Sequence, residues 1–168
     1  MPNSHRASAF ATLPYLLPWT VASALSPVVN TEQLLLLLAI GCCVAMAASI
    51  DARCGRLPNY LTLPAILLSI PLGFWLYGSQ AFLGVAIAAG PLFLIALFGE
   101  IGMGDVKLSI ALGAILGPQG AYMMLLLTTI SILSVGLIER RRLIVGGPYL
   151  ALSTAACLPF FSHSNLQF

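Results

Sequence analysis

Three features predict an all-α fold, a polytopic transmembrane bundle of about six helices: an apolar composition, apolar runs that recur at near-membrane length, and the placement of the few charges between those runs. Apolar residues make up 60% of the 168-residue chain and charged residues 7%, whereas a soluble domain carries roughly 25% charged residues. A spanning helix needs about 20 apolar residues, so the length suffices for about six or seven passes with short connections and no separate soluble domain. The net charge of +2 is too small to imply a nucleic-acid partner; what informs is where the basic residues lie.

Taken in order, the first element is ambiguous. In the N-terminal segment, residues 1–31, Arg6 precedes an apolar stretch over 10–29 that Pro14, Pro18 and Pro27 interrupt. An extra span, an interfacial segment and a signal-like peptide with a small-x-small site at Ala22, Ser23 and Ala24 are all open, and the prolines favour an irregular span or surface segment over cleavage. Residues 32–168 then form one membrane-embedded domain. Its spans are expected at 33–50, 60–77, 81–98, 106–116, 121–138 and 149–161. Glycine, proline and polar residues separate them: Gly78, Ser79 and Gln80 after the second, Gly117 to Gly120 after the fourth, and Gly146, Gly147 and Pro148 before the sixth. The fourth and sixth are short for a hydrocarbon core of about 30 Å, so their ends are expected to reach into flanking residues or the bilayer to thin.

Charge sets the orientation. Arg53 and Arg56 follow the first span, Lys107 begins the fourth, and Arg140, Arg141 and Arg142 follow the fifth, while the turns at 78–80 and 117–120 are uncharged. The positive-inside rule puts the basic loops in the cytoplasm. Asp51 and Asp105, the two aspartates of the chain, are separated by two whole spans, so an even number of crossings returns the chain to the same, cytoplasmic face.

A carboxylate beside a bilayer is costly and marks a functional site by default. Two in contact cannot both ionise easily and share a proton near neutral pH. One then takes a proton from water as it attacks a carbonyl, and the other polarises the carbonyl oxygen. The surroundings suit this role. Gly102 and Gly104 flank Met103 and free the backbone for unusual dihedrals and close approach to an extended peptide. Asp105 can cap the fourth span, and Lys107 adds a positive charge that favours an ionised neighbour or binds an anionic group. Pro58, after Leu57, disfavours helix before it, so a turn is expected between Asp51 and the second span.

Simpler roles stand beside these. An aspartate at a helix start is often only an N-cap, the glycines can serve helix packing, and Arg140, Arg141 and Arg142 are most simply topology determinants. Glu100 is read as solvated or structural, and Glu32 and Glu139 as span-end residues. Other chemistries are poorly supported. Cys42, Cys43, Cys54 and Cys157 form no Cys-x-x-Cys pair, His5 and His163 stand alone, and neither His-Glu-x-x-His nor Gly-x-Ser-x-Gly occurs. No metal site and no cofactor are expected.

The aspartate contexts carry a resemblance. Asp51 is followed by Leu57, Pro58, Asn59, Leu61 and Thr62, and Gly102, Met103, Gly104 and Asp105 run on through Val106, Lys107 and Leu108 to Ala111, Leu112 and Gly113. With a weaker third element at Gly147, Pro148, Tyr149 and Leu150, the chain resembles the type IV prepilin peptidases, membrane aspartyl proteases of the Gly-x-Gly-Asp class, over nearly everything after Thr31. The resemblance implies that Asp51 and Asp105 are catalytic, and that Gly102, Gly104, Lys107, Pro58 and Asn59 bind substrate or shape the site. It further implies a prepilin or pseudopilin precursor as substrate, cut at the cytoplasmic face of a bacterial plasma membrane, with membrane lipid and a pilus or secretion machinery as further partners.

Longer members of that family carry a cytoplasmic domain with paired Cys-x-x-Cys motifs and also methylate the new pilin N-terminus. Nothing in this sequence corresponds to it, so N-methylation is not expected, and the short form resembles the enzymes of tight-adherence (Flp) pili. A presenilin-like protease is the weaker match, since Ile50 rather than tyrosine precedes Asp51. The alternative from another class is a non-enzymatic subunit of a secretion or transport system, its acids relaying protons or capping helices.

Overall fold

The computed structural model describes residues 17, 18, 20, 31–54, 57–98, 102–139 and 146–161. The proposed fates of the N-terminal segment, and the places expected for His5, Arg56, Glu100, Arg140, Arg141, Arg142 and His163, lie outside the described residues. Those described form five principal helices: α1 Thr31–Cys54, α2 Asn59–Tyr77, α3 Gln80–Leu97, α4 Met103–Glu139 and α5 Gly147–Phe161. Four contain segments long and apolar enough to cross a membrane, namely Leu35–Cys54, Asn59–Tyr77, Gln80–Leu97 and Met103–Val135, while α5 is shorter. The all-α, multi-pass reading therefore holds.

Helix ends follow from local chemistry. Pro58 has extended backbone, φ −76 and ψ 131, and stands just before α2. Its carbonyl accepts from the amides of Leu61 and Thr62 at 3.2 and 3.3 Å, which supplies two of the amides that a helix start leaves unpaired. This is the turn that the proline predicts. At the far end Gly78 takes φ 57 and returns its amide to the Phe74 carbonyl at 2.8 Å, a left-handed stop that glycine reaches without steric cost.

The expected turn over 117–120 is tighter than predicted. The helical assignment runs through it, and the interruption is Gly117 alone, at φ 65 and ψ −175, followed by Pro118. Glycine makes the turn and proline, with no amide to lose, starts the next helical segment. The two halves nevertheless run in opposite senses. At 1.5 Å per residue the half from Asp105 to Gly117 is about 18 Å long and the half from Pro118 to Glu139 about 32 Å. Gly146 lies against Asp105, and the seven residues from Glu139 to Gly146 reach at most about 25 Å. Halves running on in line would leave a gap of about 50 Å, so the chain doubles back at Gly117. The fourth and fifth expected spans are thus separate helical segments within α4.

Helix α4 packs against α2, α3 and α5, and α1 against α2 and α5. Leu108, Leu112, Ile115 and Leu116 of α4 meet Ile40 and Val44 of α1, Leu72 of α2 and Leu150 of α5 in the buried core. Lipid is as apolar as leucine, so what draws these helices together is close fit, which small residues allow. Gly73 lies on the Ala114 backbone, and Gly84 on the backbone of Gly113 and Gly117. Outward, Phe74, Trp75, Phe82, Phe93 and Leu94 are exposed, as expected of faces that meet hydrocarbon.

Candidate active site

Asp51 does not stand at the edge of its span. Helix α1 continues to Cys54, past the expected end at residue 50, so Asp51 lies in its last turn and only 4% of its surface is exposed. Two further helices, α2 and α3, return the chain to the same end, where α4 begins. Asp105 is the third residue of α4. Its amide donates to the Gly102 carbonyl at 3.0 Å, and the Ser109 hydroxyl donates to its carbonyl at 2.8 Å. Because the helix starts two residues before it, Asp105 is inside the first turn rather than at the cap, as a capping role would require. Its Oδ1 is buried and has no hydrogen-bond partner among the described residues.

The start of α5 brings the two acids together. The Gly147 amide donates to Asp51 Oδ2 at 3.1 Å across 96 positions of sequence, in a buried setting. A Cβ on Gly147 would stand 2.5 Å from the same oxygen, and one on Gly146 would stand 2.8 Å from Asp105 Oδ2. Adjacent residues thus touch one carboxylate each. Standard backbone bond lengths across that contact confine the two carboxylates to within about 10 Å of each other. Asp51 also acts electrostatically on Asp105. In the sequence Gly146, Gly147 and Pro148 mark only a break before a span, with Gly147 in a weak motif; in the structure these glycines line the site. The available signal was that a glycine pair is an unusually open way to begin a buried helix.

The flanking residues divide. Lys107 donates through Nζ to Asn59 Oδ1 at 2.9 Å, so the partner observed for this ammonium is an amide rather than a carboxylate. The bond ties the first turn of α4 to the first residue of α2. Gly104 has no room for a side chain, its Cβ position being 2.6 Å from Leu57 Cβ, whereas among the described residues the nearest atom to a Cβ on Gly102 is 4.0 Å away. Gly78 and Gly117 are the glycines with positive φ; Gly102 and Gly104 are not among them, so the expected unusual dihedrals are not what selects glycine there. Gly104 serves close packing, and Gly102 accepts from the Asp105 amide through its carbonyl. Pro58 acts through the α2 start and Leu57 beside it.

Chemically, the arrangement offers one carboxylate held by a donor and a second with an unengaged, buried oxygen. Two carboxylates that touch adjacent residues of one turn are near enough for a water and a carbonyl to lie between them, the setting in which one acts as base and the other as acid. Fold and site together define a polytopic helical membrane protein that gathers two carboxylates at one end of its helices.

The chain belongs to the type IV leader peptidase family, which matches residues 37–137 and so includes both aspartates. Among curated proteins it is similar to the "Prepilin leader peptidase/N-methyltransferase" of Burkholderia pseudomallei, strains 1026b and K96243, at 35% identity over 145 residues in each case. The match covers 74% of this chain and 46% of each relative. The chain therefore spans under half the length of the curated relatives it matches. No solved structure matches.

Proposed function

We propose that this protein is a membrane aspartyl endopeptidase that removes the leader peptide of type IV prepilin-like precursors, with Asp51 and Asp105 as its catalytic pair. The observation that carries the reading is that the adjacent residues Gly146 and Gly147 touch one aspartate each, in a chain whose family is that of leader peptidases. The dyad takes a proton from a water as the water oxygen attacks the scissile carbonyl carbon, and gives a proton to the carbonyl oxygen. The tetrahedral intermediate then collapses: the C–N bond breaks as the departing amine takes from the dyad the proton that came from water, and a hydroxyl of the intermediate returns its proton to the dyad. No covalent enzyme intermediate is needed. Asp105 Oδ1, buried and unengaged, is the oxygen best placed to meet water or carbonyl.

In this reading the site faces the cytoplasm of a bacterial plasma membrane, where the leader junction of a precursor held by its apolar helix would present itself, and membrane lipid surrounds the outer faces. Flp-type prepilins are the substrate class that the sequence resemblance suggests, and a pilus assembly machinery would receive the product. The test is co-expression with a candidate prepilin, comparing wild type with Asp51→Asn and Asp105→Asn at matched membrane levels. A gel shift and N-terminal sequencing show the cut, and continued processing by either variant would overturn the dyad.

A further inference from the structure

The start of α5 contributes to the site in a way that neither the aspartate motifs nor the family match, which ends at residue 137, describes. A carboxylate at the end of a helix is free to rotate about its side-chain torsions unless something holds it. Asp51 is held: its Oδ2 accepts the Gly147 amide at 3.1 Å in a buried setting. A charged acceptor makes such a bond stronger than a neutral one. The holding group is backbone, fixed at the first residue of a helix whose own amides are partly unpaired, with Gly146 accepting through its carbonyl from the amides of Tyr149 and Leu150 at 3.1 Å each. Both positions are also sterically committed. A methyl group at 147 would overlap the Asp51 carboxylate and one at 146 would press on that of Asp105, at 2.5 and 2.8 Å. Closer than about 3 Å something must shift, and what lies there is the catalytic pair.

We propose that Gly146 and Gly147 are positioning residues for the dyad: the Gly147 amide fixes the orientation of Asp51, and the absence of side chains at both positions lets the turn close on the two carboxylates. The catalytic consequence rests on the peptidase reading, and the contact itself does not.

Gly146 and Gly147 are the one adjacent glycine pair among the 15 glycines of the sequence. Protein labelled with both 15N-glycine and carbonyl-13C-glycine, purified in detergent micelles, therefore gives a single carbonyl-correlated amide signal, that of Gly147. We expect this amide to be shifted downfield and protected from solvent exchange in wild type, and to lose both features in Asp51→Ala. An amide that is unprotected in wild type, or that does not respond to Asp51→Ala, overturns the proposal. In the peptidase assay Gly147→Ala should lower kcat about a hundredfold per folded molecule, with KM changed far less, since misplacing a catalytic group by about 1 Å costs that much. Unchanged kcat would overturn the steric part. Wild type that cuts no prepilin while its Gly147 amide still answers to Asp51 counts against the peptidase reading and leaves the contact in place.

Discussion

Asp51 and Asp105 differ in what surrounds them, although the proposed mechanism asks them to work as one. Asp51 is buried and bonded to a backbone donor, whereas Asp105 has an oxygen without a partner among the described residues. A mechanism that needs one carboxylate and one carboxylic acid predicts a bell-shaped pH dependence of kcat/KM. Activity should fall on the acid side as the base takes up a proton, and on the alkaline side as the acid loses one; both limbs belong to the pair rather than to either residue. A profile measured on solubilised enzyme with a short prepilin-derived peptide checks this, and a single limb would argue against a shared proton. Each Asp→Asn variant should lose processing almost entirely, because groups that act as a unit fail together. Lys107 is different. Its bond to Asn59 joins two helix starts at the site's edge, so Lys107→Met should reduce activity about tenfold, since a hydrogen bond to a charged group is worth about 1.5–3 kcal/mol and exposure puts this one at the low end. A loss as deep as that of the aspartate variants would show that the ammonium contacts substrate.

At the scale of elements, the glycines separate into those that carry packing and those that do not. Gly84 of α3 lies against the backbone of α4, where a Cβ has no room, while Gly90, six residues on, has nothing among the described residues within 4 Å of its Cβ position. Gly84→Ala should therefore destabilise the protein by about 1–3 kcal/mol, the usual cost of overpacking. Gly90→Ala should be neutral or stabilising by up to about 1 kcal/mol, since it only restricts the unfolded chain. Thermal unfolding in one detergent distinguishes the two, and equal shifts would mean that α3 does not pack on α4 as described. Sequence makes the helices legible because apolar run length and punctuation are local properties: the α2 and α3 bounds fall within one residue of expectation at each end. It also makes Asp51 and Asp105 legible, since acids are rare in such segments. It does not reveal that Gly147 bonds to Asp51, or that Lys107 chooses Asn59, because those pairings join residues 96 and 48 positions apart. Nor does it separate Gly102 from Gly104, alike in their motif and unlike in surroundings, for only the arrival of Leu57 distinguishes them.

For the whole molecule, the arrangement places both acids at one end of the helices, and α4 reverses direction at Gly117. The positive-inside rule predicts that this end faces the cytoplasm, an expectation that rests on charge alone: Arg53 and Lys107 lie at the same end as the acids, whereas the opposite turn at Gly78 and Ser79 carries none. Cys54, exposed at the end of α1, reports on this face, three residues from Asp51. In a variant keeping Cys54 as its single cysteine, with Cys42, Cys43 and Cys157 replaced by alanine, a membrane-impermeant maleimide should label inverted inner-membrane vesicles and leave intact spheroplasts unlabelled. A cysteine introduced at Ser79, exposed in the opposite turn, should give the reverse pattern in the same background. Labelling of Cys54 from outside would invert the topology, put the dyad on the wrong side for an unexported precursor, and remove the peptidase reading whatever the geometry of its two carboxylates. Labelling of both cysteines from one side would instead contradict the passage of α2 across the membrane, and with it the parity that returns Asp105 to the face of Asp51.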